Sequence, residues 1–136
     1  MSSPAIRSTG AVVAGFVGAV ILAVICDLVL RAGAPHAFGS DGFVADPGFQ
    51  AVVLVYSAVA ATFGGWLAGR LAPSRPMRHA LILGWISVVL TLLGTAAAWS
   101  HAPIWYHAIA ILIVLPAAWC GGSIARNQRT AGAANA

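Results

Sequence analysis

The chain's means for ionic chemistry are few: seven arginines and three acids, Asp27, Asp41 and Asp46, in 136 residues with no lysine and no glutamate. Only Asp27 lies inside an apolar run, and Arg31 follows four residues on, so a helix puts both on one face. A carboxylate within a membrane span is a site for a proton or a cation. The same carboxylate beside a guanidinium one turn away is an ion pair at the membrane boundary, with the arginine reaching toward the headgroups. Asp27 is one turn from the end of its run, so the ion pair is the expected reading and the transport site its alternative. His36, His101 and His107 lie with Asp41 and Asp46 in or beside the loops of one side, which makes five potential metal ligands facing one compartment. Their spacing matches no ligand pattern. No metal site is expected, and interfacial hydrogen bonding is the default role.

A Ser-His-Asp set can be drawn from these same loops, but nothing in the sequence brings its members together. Nucleophile elbow, HExxH, phosphate-binding loop, GxGxxG after a strand and CxxC are all absent. Neither catalysis nor a cofactor is expected. The two cysteines, Cys26 and Cys120, fall near opposite ends of the spans, so a bond between them is geometrically barred.

The elements that position these groups follow from composition. Hydrophobic residues make up 60% of the chain and charged residues 7%, against about a quarter charged in ordinary soluble domains. There is no polar shell to cover a soluble core, and the soluble, disordered, coiled-coil and disulfide-scaffold classes fall together. Four apolar stretches remain, at about 11–30, 49–71, 80–99 and 104–124. Each is near the ~20 residues that cross the hydrocarbon layer as a helix. They do not alternate polar and apolar, which excludes strands. The expected fold is an all-α bundle of four transmembrane helices forming one domain.

Arginine placement supplies an orientation. Arg7, Arg70, Arg75, Arg78, Arg126 and Arg129 fall on one side and Arg31 alone on the other, with Asp41 and Asp46. The positive-inside rule puts the arginine-rich side and both termini in the cytoplasm. This asymmetry accounts for the net charge of +4 without a nucleic-acid partner. Arg70, Arg75, Arg78 and His79 are candidates for lipid headgroup contact. Ala32-Gly33-Ala34 resembles a signal-peptide cleavage site. The preceding apolar run is too long for one and contains Asp27, so the first stretch is read as a span.

The outer loop, Arg31 to Gly48, has no helical or strand period, though Phe38 and Phe43 can fold it back onto the bundle. At the inner turn Pro73 and Pro76 stop a helix. The small polar tail after Arg129 is expected to fray, and Pro116 to kink the fourth span. Trp99, Trp105 and Tyr106 are read as an outer aromatic belt.

The halves repeat. Span two closes with Ala60-Ala61-Thr62-Phe63-Gly64-Gly65-Trp66-Leu67-Ala68, then Arg70. Span four closes with Ala117-Ala118-Trp119-Cys120-Gly121-Gly122-Ser123-Ile124-Ala125, then Arg126. The chain reads as two tandem helical hairpins related by an axis along the membrane normal. Small residues recur every fourth position: Ala11, Gly15, Ala19 and Ala23; Ser57, Ala61, Gly65 and Gly69; Ala117, Gly121 and Ala125. Such faces let backbones approach in lipid, where apolar burial supplies no drive. Gly15, Ala19, Gly65, Gly69 and Gly121 are the expected packing residues, with Leu67 turned away from the face that carries Gly65.

The segments Gly64–Pro73, Arg75–Leu81 and Leu83-Gly84, with Pro103–Tyr106 and Leu115–Gly122, resemble small four-span bacterial inner-membrane proteins of uncharacterised activity. The resemblance covers spans two to four. It implies a bacterial inner membrane and carries no functional residue over. The expected function is a non-catalytic accessory or structural subunit. It would contact membrane lipids and form a homo-oligomer or join a larger membrane complex through its Gly/Ala faces. The alternative is an oligomeric transporter or channel with Asp27 as its polar site.

Overall fold

The second, third and fourth long helices begin at or just after a proline, whose fixed φ suits the first turn and whose missing N–H is no loss there. In the computed structural model, which describes residues 4–134, α1 is Pro4–Gly33, α2 Pro47–Leu71, α3 Pro76–Ala97 and α4 Ile104–Ala134. Short 3-10 turns at Pro35–Ala37 and Trp99–His101 sit in the two loops of one end. All four helices are long and apolar enough to cross a membrane, and the fold is an all-α four-helix bundle of a multi-pass membrane protein.

Two helices outrun their apolar stretches. α1 is already helical from Pro4, ahead of the apolar stretch from about residue 11, and α4 is helical to Ala134 where fraying after Arg129 was expected. For α4 the reason is at the far end of α2. The Arg129 guanidinium donates to the Arg70 and Ala72 carbonyls, which a helix C-terminus leaves without partners. Trp66 Nε1 also donates to Gln128 Oε1 at 3.0 Å. These contacts hold the last turns of α4 against α2. The same helix passes through Pro116 without a break.

The packing inverts that of a soluble protein. The buried residues are mostly alanine and glycine, including Ala60, Ala68, Ala80, Ala118 and Ala125. Large aliphatics face outward, as Val13, Val17, Val20, Ile21, Val24 and Leu28 do along α1. In lipid that outward surface is solvated, and close backbone approach holds the helices together.

The glycines show how. A Cβ on Gly15 would stand 2.6 Å from the Gly64 carbonyl oxygen and 2.7 Å from the Ala68 Cβ, so α1 and α2 cross there backbone to backbone. Gly65 faces the Ala118 backbone of α4, and Gly121 faces the Thr62 carbonyl and Trp66 amide of α2. A Cβ on Gly69 would stand 2.9 Å from Ala125 Cβ, and one on Gly122 would stand 2.5 Å from Ala80 Cβ of α3. A Cβ on Gly64 would stand 2.8 Å from Ala19 Cβ. Successive residues point about 100° apart on a helix, so each Gly-Gly pair admits two neighbours: α1 and α4 for α2, α2 and α3 for α4.

The two pairs are not used equivalently. In α2 the first glycine faces the hairpin partner, and in α4 the second one does. α3 also packs against α2, with no comparable contact between α1 and α4 among the described residues. Both hairpins form, but the repeat in the sequence does not become a two-fold axis in space. Leu67 packs as well: its Cδ2 lies over Gly18 of α1, so it faces away from α4 and is half-buried.

Candidate functional site

The polar groups gather at the loop end of the bundle, and Arg31 is their hub. Its Nε donates to Asp27 Oδ2 at 2.9 Å and its Nη2 to the Gly42 carbonyl at 3.1 Å. Its guanidinium also lies 4.4 Å from the centroid of the Phe38 ring, a cation–π contact. The other Asp27 oxygen accepts from Tyr56 Oη of α2 at 3.2 Å. One carboxylate therefore links α1 to α2, while Arg31 ties α1 to the loop.

The loop is ordered by small local devices. Gly42 takes φ +79°, a conformation glycine adopts freely. Phe38 and Val44 form an isolated antiparallel bridge, and Gly39 N–H donates to the Phe43 carbonyl at 2.8 Å. Asp41 Oδ1 accepts from Phe43 N–H, and Asp46 Oδ1 caps α2 by accepting from Gly48 and Phe49 N–H. The two loop aspartates thus fix backbone, and Phe38 and Phe43 fold the loop onto the bundle. Phe43 stacks on His101 at 4.1 Å.

Gln50, in the first turn of α2, is 3% exposed. Its Nε2 donates to the Val44 carbonyl at 2.9 Å, which fixes the amide orientation. Its Oε1 is buried with no hydrogen-bond partner among the described residues. An unsatisfied buried acceptor costs about 1–3 kcal/mol. Gln50, Asp27, Arg31 and Tyr106 line a cavity of about 160 Å³. A second, half-open cavity of about 310 Å³ lies among α2, α3 and α4, and Phe43, His101, Ala102 and Tyr106 line both. Tyr106 therefore faces the interior, unlike the outer belt position expected for it. Its first-turn place in α4 is compatible with either, and the helix's azimuth decides.

The histidines disperse. His36 meets the Phe49 ring edge-on at 5.5 Å, and His107 is buried under Trp99 with its Nε2 3.4 Å from the Trp99 carbonyl. His101 Nε2 is 3.8 Å from Asp41 Oδ2, and its Nδ1 is 3.4 Å from Ser100 Oγ. Among the described residues no three of His, Cys, Asp and Glu converge on one point. Ser100, His101 and Asp41 do fall in line, which the sequence gave no reason to expect. The His–Asp separation exceeds a hydrogen bond, the Asp41 side chain is half exposed, and its other oxygen is held by Phe43 N–H. The geometry is that of a surface contact.

At the opposite end Arg75, Arg78 and His79 line a pocket of about 240 Å³ with Ser8 and Ser74. Arg75 takes a left-handed φ of 47° just before α3, and His79 is buried with Nδ1 3.2 Å from the Arg75 carbonyl. Arg70 stands apart from this pocket, exposed at the end of α2 where Arg129 meets its carbonyl.

Sequence reasoning missed Tyr56, Tyr106 and Gln50. A usable signal existed: they are both tyrosines of the chain and the only carboxamide within the four apolar stretches. All three lie in the loop-end portions of α2 and α4.

One prediction follows from the hub. Asp27 and Arg31 are 38% and 46% exposed, so their pair is worth the ~0.2–1 kcal/mol of exposed ion pairs. Asp27→Asn keeps an oxygen for Tyr56 and costs at most about 1 kcal/mol. Arg31→Gln loses three partners and costs more than Asp27→Asn, and the double variant costs about the same as Arg31→Gln alone. Denaturant unfolding in detergent of the four chains measures this. A double variant whose loss equals the sum of the two singles shows the pair to be uncoupled.

No family model matches the chain, and no curated protein or solved structure is detectably similar to it.

Proposed function

We propose that the chain is a non-catalytic accessory or structural subunit of a bacterial cytoplasmic-membrane complex. The observation that supports this reading is the state of Asp27. The single intramembrane acid is held by Arg31 and Tyr56, and a carboxylate so engaged acts as a strut between helices. A transport site must release its partner to take up a cation. The small-residue faces meet each other inside the chain. Contact with a second copy or another subunit then falls to the outward aliphatic row of α1 instead of the Gly/Ala faces. Both termini and the Ala72–Arg75 turn are assigned to the cytoplasm on the arginine asymmetry. There Arg70, Arg75 and Arg78 meet lipid headgroups, while His79 is buried against the Arg75 carbonyl. The reading involves no cofactor, metal or nucleic acid.

One observation favours the transport alternative. The 310 Å³ loop-end cavity and an open groove between α1, α2 and α3 share Ser57, Thr91 and Val114, so the clefts between the helices carry hydroxyl groups. Two measurements decide. Native purification in mild detergent is expected to give a complex heavier than the 13.8 kDa chain. Reconstituted protein with an enclosed pH-sensitive dye is expected to show no proton flux, either as wild type or as Asp27→Asn. Flux in the wild type that disappears in Asp27→Asn would overturn the subunit reading.

A further inference from the structure

We propose that the pocket between α1 and the start of α3 binds a phosphomonoester group through Arg75, Arg78 and His79, which rests on the headgroup contact proposed above and narrows it to one class of phosphate at one place. The pocket has about 240 Å³ of space. Drug-sized sites begin near 300 Å³, so a compact head suits it better than a whole small molecule. Ser8 of α1 and Ser74 of the turn line it with Arg75, Arg78, His79 and Ile82. Ile82 is one turn further along α3 and 41% exposed, which gives the pocket an apolar edge on the side of the bilayer.

His79 is the buried polar group of the site, with 7% of its surface exposed. Its Nδ1 lies 3.2 Å from the Arg75 carbonyl oxygen. A carbonyl only accepts, so Nδ1 carries the proton and the tautomer is set. Nε2 has no hydrogen-bond partner among the described residues, and it is not one of the atoms sealed from solvent. It therefore opens into the pocket that the residue lines. In the neutral ring Nε2 accepts, and in the charged ring it donates. A phosphomonoester meets either form, since it has an O–H when singly ionised and a bare oxygen when doubly ionised. A phosphodiester has no O–H to offer the neutral ring.

Charge points the same way. No acceptor engages the Arg75 or Arg78 guanidinium among the described residues. The chain's acidic side chains, Asp27, Asp41 and Asp46, all belong to the opposite end. Two guanidiniums without a counter-charge favour a dianion, and their planar N–H forks match phosphate oxygens. A phosphomonoester carries about −1.5 to −2 at neutral pH, and a diester a single negative charge. The first turn of α3 adds the partial positive charge of a helix N-terminus.

The test is native mass spectrometry of the full chain in detergent, titrated with dioleoyl phosphatidic acid, phosphatidylglycerol or phosphatidylcholine. Phosphatidic acid is expected to bind about tenfold more tightly than phosphatidylglycerol. Arg75 and Arg78 are exposed, so replacing them spares the packing. Arg78→Gln should weaken phosphatidic acid about tenfold, the scale of a hydrogen bond to a charged group. Arg126→Gln removes the same charge from the same end outside the pocket and should leave that affinity within twofold. Ser8→Tyr fills the pocket from α1 without altering charge and should remove the preference for phosphatidic acid. Inorganic phosphate, titrated against the lipid-bound chain, separates the sources. Displacement of the lipid assigns the site to a soluble phosphate, and retention assigns it to the headgroup; the phosphomonoester stands in both. Equal affinity for phosphatidic acid and phosphatidylglycerol, or equal losses in Arg78→Gln and Arg126→Gln, would overturn the site while leaving general headgroup contact intact. Equal affinity for all three lipids would overturn both.

Discussion

Gly121→Leu and Gly65→Leu are expected to disrupt the bundle, because each puts a branched side chain where another helix's backbone already stands. A Cβ on Gly121 alone would overlap the Thr62 carbonyl and sit 2.5 Å from the Trp66 amide nitrogen. A Cβ on Gly65 would sit 2.9 Å from Ala118 Cα. Flexible side chains can give way at such distances, but the backbones of two helices can do so only by moving apart. Even the alanine variants should therefore cost on the order of 1–3 kcal/mol, the usual scale of overpacking, and the leucine variants more. Because α2 and α4 meet at both glycines, their separation would unseat the Arg129 contacts with Arg70 and Ala72 as well. The control is Leu112→Ala, at a side chain 73% exposed on α4, which should stay within about 0.5 kcal/mol. Leu67→Ala is the intermediate case, since Leu67 packs over Gly18 on α1. Denaturant unfolding in detergent, followed by far-UV circular dichroism, ranks the four positions. If Leu112→Ala and Gly121→Ala shift the midpoint equally, the α2–α4 crossing is misplaced.

The second large effect is all-or-none. With Cys26 and Cys120, both free thiols, replaced by alanine, a cysteine at Ser74 is expected to react with a membrane-impermeant maleimide only from the cytoplasmic side. A cysteine at Ser40 should react only from the opposite side. Both positions are exposed loop residues at opposite ends of the bundle, so reactivity reports sidedness instead of burial. The reason for the direction is the six-to-one division of arginines. Labelling of Ser74 and Ser40 reporters from the same side would be incompatible with four crossings. Labelling of each from the side opposite to that expected would keep the bundle and invert it.

The two predictions draw on different levels of information. Sidedness can be argued from Arg7, Arg70, Arg75, Arg78, Arg126 and Arg129 without any coordinates, since it depends on how many arginines each loop holds. The glycine result needs coordinates. The sequence marks Gly64-Gly65 and Gly121-Gly122 as places where helices can approach. It does not say that Gly65 meets α4 while Gly64 meets α1, nor that the order reverses in α4.

The number of helices, their approximate extents and the all-α class were legible from the sequence because they depend on local quantities. These are runs of apolar residues, prolines at positions 47, 76 and 103, and the near absence of charge. The Asp27–Arg31 pair was legible for the same reason, since a four-residue spacing fixes a face. What only the tertiary structure decided is everything that depends on which way each helix is turned. These helices are apolar nearly all round, so no polar stripe in the sequence records their azimuth, and lipid solvates an aliphatic face as well as a protein neighbour does. Tyr56, Gln50 and Tyr106 could be placed at the same end as Asp27, but nothing showed that they turn toward the bundle there, nor that Leu67 lies on α1. Arg129 lies 59 residues from Arg70 in the chain and meets its carbonyl only because α2 and α4 cross at their glycines. That crossing is set by contacts between backbones, and glycines show where backbones can touch without naming the partner.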